Sequence, residues 1–282
     1  MLKSNQAELF SPGIRSFSKI LEDKDMTKTD IFDLTGKVAV VTGASSGLGV
    51  QMAKALARQG ADIAILARRT DKLKTVAKEI SALGVRCLPV KCDVTKSEEI
   101  AAAVQSVVKE YGRIDILINN AGNGGTGPAE EMTDATWHQT VAVDMDGVFF
   151  MAREVGKQMI AQKFGRIINI ASMYGMVGNM ALGTACYHAA KGGVVNLTRA
   201  LAAEWAKHNI TVNSICPGYF ETELTTDVLN TDSFTQYMQA TVPVGRYGTE
   251  GELDAAVVFL SSGASSYVTG VNLPVDGGYT CV

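Results

Sequence analysis

The chain has 282 residues, with 26 Lys and Arg against 29 Asp and Glu, a formal net charge of −3, and 46% hydrophobic residues. This is the composition of an ordinary globular protein, long enough for one large α/β domain to bury a sizeable core. The charges are spread through the chain without a basic stripe, so we expect neither nucleic acid nor a membrane surface as partner. The longest apolar runs have the length of a strand and fall short of the ~20 residues of a membrane helix.

Cysteine usage indicates a reducing compartment. The five cysteines are an odd number without the spacing of a metal site: Cys87, Cys92, Cys186, Cys216 and Cys281. Such residues usually serve as small buried apolar groups, so we predict a cytoplasmic protein without a metal. Polar and helix-breaking residues interrupt the apolar residues of the first 20 positions, so no secretory signal is predicted.

Residues 1–33 differ from the rest of the chain and are predicted to form an added arm. Within them Ile14, Phe17, Ile20 and Leu21 recur at helical spacing. Two interpretations stay open. The arm is either a frayed tail with a short surface helix, or an amphipathic helix that packs against a neighbouring subunit.

From Leu34 onward, apolar runs of strand length alternate with amphipathic segments of helix length. Seven strands are predicted, at Val38–Thr42, Ile63–Leu66, Arg86–Lys91, Ile114–Asn119, Gly165–Ile170, Ile210–Ile215 and Asn272–Val275. Helices are predicted at about 47–59, 70–83, 96–111, 134–162, 186–208 and 249–262. Such alternation is typical of βαβ units, and unbroken apolar runs fit strands that are covered on both faces. We therefore predict an α/β fold, a single doubly wound Rossmann-like domain over 34–282 with a seven-stranded parallel sheet.

A glycine-rich loop, residues 42–49, lies between the first predicted strand and the first predicted helix. Small residues at this position let the backbone approach a pyrophosphate at the helix N-terminus. Gly43, Gly47 and Gly49 are the positions of closest approach. A tight structural turn is the alternative, but the strand before and the helix after favour a dinucleotide site.

The end of the second predicted strand bears on the choice of dinucleotide. An acid there would bind the adenosine ribose hydroxyls and repel a 2′-phosphate, whereas this chain has Ala67 followed by Arg68 and Arg69. NADP(H) is therefore favoured over NAD(H), with Arg68 as the partner of the phosphate. Alternatively both arginines are solvated, which is compatible with NAD(H).

Tyr187 and Lys191 are four residues apart in a predicted helix, so both project from one face. A phenol has a pKa of about 10 and is a poor acid or base near neutrality, but a nearby ammonium stabilises the phenolate form. The pair is thus suited to exchanging a proton with an oxygen whose carbon receives hydride. A half-buried aromatic ring beside a snorkelling cation is the structural alternative.

These features together resemble the short-chain dehydrogenase/reductase family, over residues 34–282. Further motifs occur in family order: Asp93-Val94, Asn119-Asn120-Ala121-Gly122, Ser172, Pro217-Gly218 with Thr222, and Asp276-Gly277-Gly278. The resemblance implies an NAD(P)(H)-dependent oxidoreductase that interconverts a ketone and a secondary alcohol.

The resemblance also implies the residues of the site. Those implied to bind the dinucleotide are Gly43, Ser45, Ser46, Gly47, Leu48, Gly49, Arg68, Asp93, Val94, Asn120, Ala121, Gly122, Tyr187, Lys191, Pro217, Gly218, Phe220 and Thr222. Those implied to act in catalysis are Ser172, Tyr187, Lys191 and Asp144. Those implied to contact substrate are Ser172, Met173, Met180, Tyr187 and Tyr219. By this resemblance Ser172 holds the substrate oxygen for the phenol.

Asp144 departs from the family pattern, which has an asparagine at this position. In the family the main-chain carbonyl of that residue holds a water that links the lysine to solvent, a role that Asp144 can keep without its side chain. A carboxylate at this position would also raise the pKa of Lys191 by attraction. We hypothesise that Asp144 sustains this proton relay.

Two segments are predicted to form the walls of the substrate pocket. The loop after Ser172, residues 173–182, is slightly longer than is usual in the family and contains three methionines and no charge, which suits irregular apolar ligands. The segment 219–240 contains Glu221, Glu223, Asp227 and Asp232 but no lysine or arginine. Because an anionic substrate needs cations, a neutral, largely apolar ketone is favoured.

A narrower resemblance, to bacterial hydroxysteroid dehydrogenases of the 20β type, rests on this pocket character and on the arm. A polyol or sugar dehydrogenase of the gluconate type and a 3-oxoacyl reductase stay open as alternatives. A module that senses the dinucleotide without catalysis is the alternative of another class. The segment 268–278 resembles the family segment that packs across a subunit interface, so we expect a homotetramer, with the arm as a further interface element.

Overall fold

The computed structural model describes residues 30–180, 182–222, 229 and 231–282. The chain divides into Met1–Ile31 and a compact unit, Phe32–Val282. The arm predicted over 1–33 therefore lies almost wholly outside the described residues, and both interpretations of it stay predictions.

The described residues form one seven-stranded parallel sheet. Its strands are β1 (Val38–Thr42), β2 (Asp62–Ala67), β3 (Cys87–Lys91), β4 (Ile116–Asn119), β5 (Gly165–Ile170), β6 (Ile210–Pro217) and β7 (Asn272–Val275). Their order in the sheet is β3-β2-β1-β4-β5-β6-β7, with every pairing parallel. This confirms the predicted doubly wound fold. The strand order reverses between β1 and β4, the kind of position where open α/β sheets bind ligands.

Eight helices of at least eight residues lie within the described part of the chain. They are α1 (Gly47–Arg58), α2 (Thr70–Ser81), α3 (Ser97–Tyr111), α4 (Asp134–Val141), α5 (Gly147–Gln162), α6 (Ala185–Trp205), α7 (Asp232–Thr241) and α8 (Asp254–Ser261). Short 3₁₀ turns include Met173–Gly175 and Tyr279–Cys281, and one π turn, Ala142–Asp146, joins α4 to α5. The single helix predicted over 134–162 is thus interrupted, and α7 was not predicted.

The hydrophobic core lies in two layers, one on each face of the sheet. Along β1, Ala39 and Val41 pack into one layer and Val38 and Val40 into the other, because successive side chains of a strand point to opposite faces. All four are almost completely buried. Burial on both faces explains the unbroken apolar runs that predicted these strands.

Two further findings concern the described residues. None of their helices is long and apolar enough to cross a membrane. They also contain no group of three or more His, Cys, Asp or Glu side chains that could hold a metal ion.

Candidate active site

Four groups of predicted site residues lie on the loops that follow the carboxyl ends of β1, β4, β5 and β6. The glycine-rich loop follows β1, Asn120 to Gly122 follow β4, Ser172 follows β5, and Gly218 follows β6. Since these four strands are neighbours in a parallel sheet, their carboxyl ends meet at one edge, beside the point where the strand order reverses.

The glycine-rich loop packs against the loop after β4 without room for side chains. Gly43 has a φ of +66°, and a Cβ atom there would lie 2.8 Å from the Cα atom of Ala121. A Cβ atom at Gly49 would lie 2.6 Å from the carbonyl oxygen of Gly43. The loop therefore presents bare backbone at the N-terminus of α1, as a bound pyrophosphate requires.

Hydrogen bonds join the same two loops. The hydroxyl of Thr42 accepts the backbone N–H groups of Asn120 and Ala121, at 2.9 and 3.0 Å. The side-chain amide of Asn120 donates to the carbonyl of Thr42 at 3.0 Å. This side chain therefore connects the loops, and a contact of Asn120 with the adenosine ribose stays a prediction.

The two arginines after β2 take different partners. The guanidinium of Arg69 donates to the hydroxyls of Ser46, at 2.7 Å, and Ser45, at 3.0 Å. Arg68 instead attracts the carboxylate of Asp93. Burial raises the pKa of that carboxyl, but hydrogen bonds from Thr95 and the charge of Arg68 outweigh burial, so its pKa is lowered. Sequence reasoning selected Arg68, yet Arg69 is the arginine bonded to the glycine-rich loop.

The residues predicted to bind the adenine and nicotinamide ends of the dinucleotide lie at two further places. Asp93 begins a turn in which its carboxylate accepts the N–H and hydroxyl of Thr95, and Val94 is largely buried. At the other end, Thr222 reaches the glycine-rich loop, since a Cβ atom at Gly47 would lie 3.4 Å from the Thr222 Cβ atom. The Phe220 side chain is buried in the core, so only the backbone of this residue could make the predicted contact with the nicotinamide, which stays a prediction.

Lys191 and Asp144 form a buried ion pair. Lys191 Nζ lies 3.1 Å from Asp144 Oδ1, and the two side chains are 4% and 0% exposed. Lys191 Nζ also donates to the carbonyl of Ile170 at 3.0 Å, and it lies 5.5 Å from the centroid of the Tyr187 ring. Asp144 accepts a further hydrogen bond from the backbone N–H of Asn123 at 3.0 Å. The structure thus brings together three residues that the resemblance implied.

Charge keeps Lys191 ionised despite its burial. Burial lowers the pKa of Lys191, but attraction to Tyr187 and Asp144 outweighs it, so the net pKa is raised, in the direction that a carboxylate neighbour predicts. Burial raises the pKa of the Asp144 carboxyl, against the opposing effects of Lys191 and the Asn123 N–H. Lys191 is therefore a cation throughout the physiological pH range.

The backbone around Asp144 is built for this contact. Asp144 lies in the π turn Ala142–Asp146, whose extra residue changes the direction in which the following side chains project. A Cβ atom at Gly122 would lie 2.7 Å from Asp144 Oδ1, so only glycine leaves room for the carboxylate. The resemblance implied a role for both residues, and the attraction expected between the Asp144 carboxylate and Lys191 takes the form of a direct ion pair.

Ser172 begins the 3₁₀ turn Met173–Gly175. Its hydroxyl oxygen accepts the backbone N–H of Tyr174 at 3.1 Å, and the residue is 6% exposed. The two methionines predicted to contact substrate do not line a common surface, because Met173 is buried and Met180 is fully exposed. Tyr219, also predicted to contact substrate, lies in a group of aromatic side chains with Tyr174 that sequence reasoning missed, and its substrate contact stays a prediction.

Sequence comparisons identify known proteins that this chain resembles. A family model described as enoyl-(acyl carrier protein) reductase matches residues 43–280. Gluconate 5-dehydrogenase of Gluconobacter oxydans is 39% identical over 90% of this chain and 99% of that protein. Galactitol 2-dehydrogenase (L-tagatose-forming) of Cereibacter sphaeroides is 40% identical over 89% and 97%.

Solved structures show the same likeness. A short-chain type dehydrogenase/reductase from Mycobacterium marinum has a TM-score of 0.86 and 38% identity, over 90% of this chain and 99% of that one. A gluconate 5-dehydrogenase from Burkholderia cenocepacia, in complex with NADP and tartrate, has a TM-score of 0.86 and 38% identity, over 90% and 98%.

The chain belongs to the short-chain dehydrogenase/reductase family. It is an NAD(P)-dependent alcohol dehydrogenase or ketone reductase, as the sequence predicted. The expectation of a steroid substrate is less well supported than the gluconate-type alternative, because the Gluconobacter and Cereibacter relatives are named for a sugar acid and a sugar alcohol.

The ion pair makes a prediction about stability. Asp144→Ala leaves the Lys191 ammonium buried without a counter-charge, so it should lower the free energy of unfolding by about 3–5 kcal/mol. Loss of Asp144 removes part of the attraction that raises the pKa of Lys191, so this pKa in the folded variant lies below that in the folded wild type. The folded variant therefore binds fewer protons than the folded wild type in the alkaline range, and its stability deficit relative to the wild type should shrink as pH rises through that range.

Urea unfolding of the wild type, Asp144→Ala, Lys191→Met and the variant with both substitutions checks this prediction. Asp144→Ala combined with Lys191→Met removes both charges, so its loss should be well below the sum of the two single losses. Additive losses would mean that the pair does not couple.

Proposed function

We propose that this protein transfers hydride between NADP(H) and a polyhydroxylated substrate of the sugar-acid or sugar-alcohol kind, with Tyr187 exchanging the proton. The observation that carries the catalytic assignment is the buried Lys191 ammonium. It contacts Asp144 and the Ile170 carbonyl and lies 5.5 Å from the centroid of the Tyr187 ring. The substrate class is supported by relatives of 38–41% identity that are named for gluconates, galactitol and mannitol.

The residues of this chain fit a dinucleotide. The loop at Gly43 and Gly49 leaves backbone N–H groups at the start of α1 and no space for side chains. We assign the pyrophosphate to this loop and the adenosine end to the loops after β2 and β3. When bound, the dinucleotide supplies or accepts the hydride at the substrate carbon.

Lys191 acts on Tyr187 through charge. An ammonium has three N–H groups, and Asp144 Oδ1 and the Ile170 carbonyl accept two of them. The third N–H group of Lys191 can therefore donate to a group bound in the active site. The ammonium lies 5.5 Å from the centroid of the Tyr187 ring, whose hydroxyl gives a proton to the substrate oxygen during reduction and takes it back during oxidation.

Ser172 holds the substrate oxygen during this exchange. Its oxygen accepts the Tyr174 N–H, so its hydroxyl proton is free to be donated toward the substrate. A donor that is already in position stabilises negative charge developing on the substrate oxygen without reorganising.

We propose that Asp144 sustains the proton relay by retaining Lys191 in position. Asp144→Asn keeps an acceptor oxygen of the same shape, and its main-chain carbonyl is unchanged. Turnover of this variant should stay within roughly tenfold of the wild type, as steady-state kinetics at saturating substrate would show. A collapse of activity would reject this relay.

We further propose that the protein is a homotetramer with the segment 268–278 at a subunit interface. The exposure of large side chains near the edge strand β7, including Tyr267 and Val271, supports this. Its mass in solution tests the proposal, and a monomer would reject it.

We also propose a cytoplasmic location. All five cysteines are unpaired, which is compatible with a reducing compartment.

We assign the 2′-phosphate of NADP(H) to Arg69, which is hydrogen bonded to Ser45 and Ser46 of the glycine-rich loop, and this assignment is tested by replacing Arg69 and Arg68 separately. Arg69→Ala should weaken NADPH binding by about tenfold or more, since a charge-assisted hydrogen bond contributes about 1.5–3 kcal/mol. NADH binding should change much less, because NADH has no 2′-phosphate. Arg68→Ala is the matched control and should have the smaller effect, because Arg68 lies beside Asp93. Fluorescence titration with each reduced dinucleotide decides, and equal losses for NADPH and NADH would contradict the assignment.

The proposed activity is tested with a panel of substrates. Initial rates are compared for gluconate, galactitol and mannitol in oxidation, and for 5-keto-D-gluconate and a neutral steroid ketone in reduction. We expect turnover of polyhydroxylated substrates, and Tyr187→Phe should lower it by roughly 10²–10⁴-fold with dinucleotide binding retained.

A bulky neutral ketone is the second candidate substrate. It is favoured by the aromatic side chains beside Ser172, which include Tyr174 and Tyr219 and carry no charge. Turnover of the steroid ketone alone would select this candidate, and full activity of Tyr187→Phe would overturn the catalytic assignment for either substrate.

A further inference from the structure

Six aromatic side chains from separate parts of the chain converge beside the candidate catalytic residues. They are Tyr174, His188, Tyr219, Phe234, Tyr237 and Tyr279. Tyr174 is two residues after Ser172, and His188 directly follows Tyr187 on α6. The group therefore connects the catalytic loop and helix with α7 and the C-terminal turn.

Tyr174 is fixed on the catalytic side of this group. Its backbone N–H donates to the Ser172 hydroxyl oxygen, and its ring stacks on His188 with 4.6 Å between ring centroids and 21° between planes. The turn itself cannot shift toward α6, because a Cβ atom at Gly175 would lie 2.6 Å from the Lys191 carbonyl oxygen. The Tyr174 hydroxyl consequently has a defined position.

Tyr219 is fixed on the opposite side. Its ring meets Phe234 and Tyr237 of α7 edge to face, with centroids 5.2 and 6.2 Å away. The hydroxyls of Tyr219 and Tyr174 are hydrogen bonded to each other. This bond joins α7 to the loop that carries Ser172.

Both phenols stay uncharged at physiological pH. Burial raises the pKa of Tyr174 to about 12, although the hydrogen bond from Tyr219 opposes it. Burial and the hydrogen bonds to Tyr174 and Tyr237 also raise the pKa of Tyr219. A pair of neutral phenols uses one donor in its mutual bond and keeps one donor and several acceptor lone pairs for other groups.

We propose that Tyr174 and Tyr219 are a specificity-determining pair, whose joined hydroxyls hold α7 as one wall of the substrate pocket and bind a hydroxyl group of the substrate. The inference rests on the proposed function and extends it to residues outside the expected catalytic set. The pair selects a substrate that has a hydroxyl group beyond the reacting carbon. A substrate without that group forgoes this hydrogen bond and binds more weakly.

The pair is tested with Tyr174→Phe, Tyr219→Phe and the double variant, each assayed on the best substrate of the panel. Each single substitution removes the same hydrogen bond while keeping the ring. Each should therefore raise KM by about three- to tenfold and leave kcat within about twofold. The double variant should have a KM within about twofold of either single variant, because the bond is already lost.

Tyr111→Phe is the matched control. Its hydroxyl donates to the Ile63 carbonyl at 3.0 Å, between α3 and β2, outside the aromatic group. Its loss should leave KM unchanged. If the KM effects of Tyr174→Phe and Tyr219→Phe multiply in the double variant, or if kcat falls at constant KM, the proposed role of the pair is wrong.

Hydrogen exchange distinguishes failure of this inference from failure of the proposed function. Backbone amides of α7 should exchange faster in both single variants than in the wild type or Tyr111→Phe, whichever substrate is turned over. If no substrate of the panel reacts, the proposed function fails while faster exchange still supports the pair. Unchanged exchange in α7 would overturn the pair even in an active enzyme.

Discussion

The buried contact between Lys191 and Asp144 is the constraint on which the site depends. Two charges removed from water are tolerated only when each compensates the other and the remaining polar atoms are hydrogen bonded. In this site Asn123 and the Ile170 carbonyl supply those bonds. The π turn that holds Asp144, the glycine at 122 and the end of β5 all have to lie where they do for this contact to exist. The catalytic geometry is therefore built into the core of the fold.

The sheet was predictable because each strand carries its own signal. Val38–Thr42 is a short apolar run between polar neighbours, and its alternating burial in two core layers needs nothing beyond the strand period. The approach of Lys191 to Tyr187 was predictable because the two residues share a helical face. For the strands and for this pair the signal lies within a few residues of sequence, whereas the catalytic roles of Tyr187, Lys191 and Ser172 rest on the family resemblance and stay a proposal.

What sequence reasoning missed depends on contacts between distant segments. The π turn that contains Asp144 was not predicted, because no local pattern over 134–162 marks it. Arg69 and Arg68 are neighbours, and only the direction of the chain after β2 decides which one binds the glycine-rich loop. Helix α7 has few apolar residues of its own and packs through Phe234 and Tyr237 onto Tyr219. A count of methionines likewise could not show that Met180 faces solvent.

In the proposed reaction, hydride passes directly between the dinucleotide and a substrate carbon while Tyr187 exchanges the proton with the substrate oxygen. Reduction of the best carbonyl substrate with NADPH carrying deuterium at the transferred position of nicotinamide C4 tests it most directly. Mass spectrometry of the alcohol should find one deuterium bound to the former carbonyl carbon, and unlabelled NADPH in deuterated water should give none there. Alcohol formed without carbon-bound deuterium from the labelled NADPH would contradict the account.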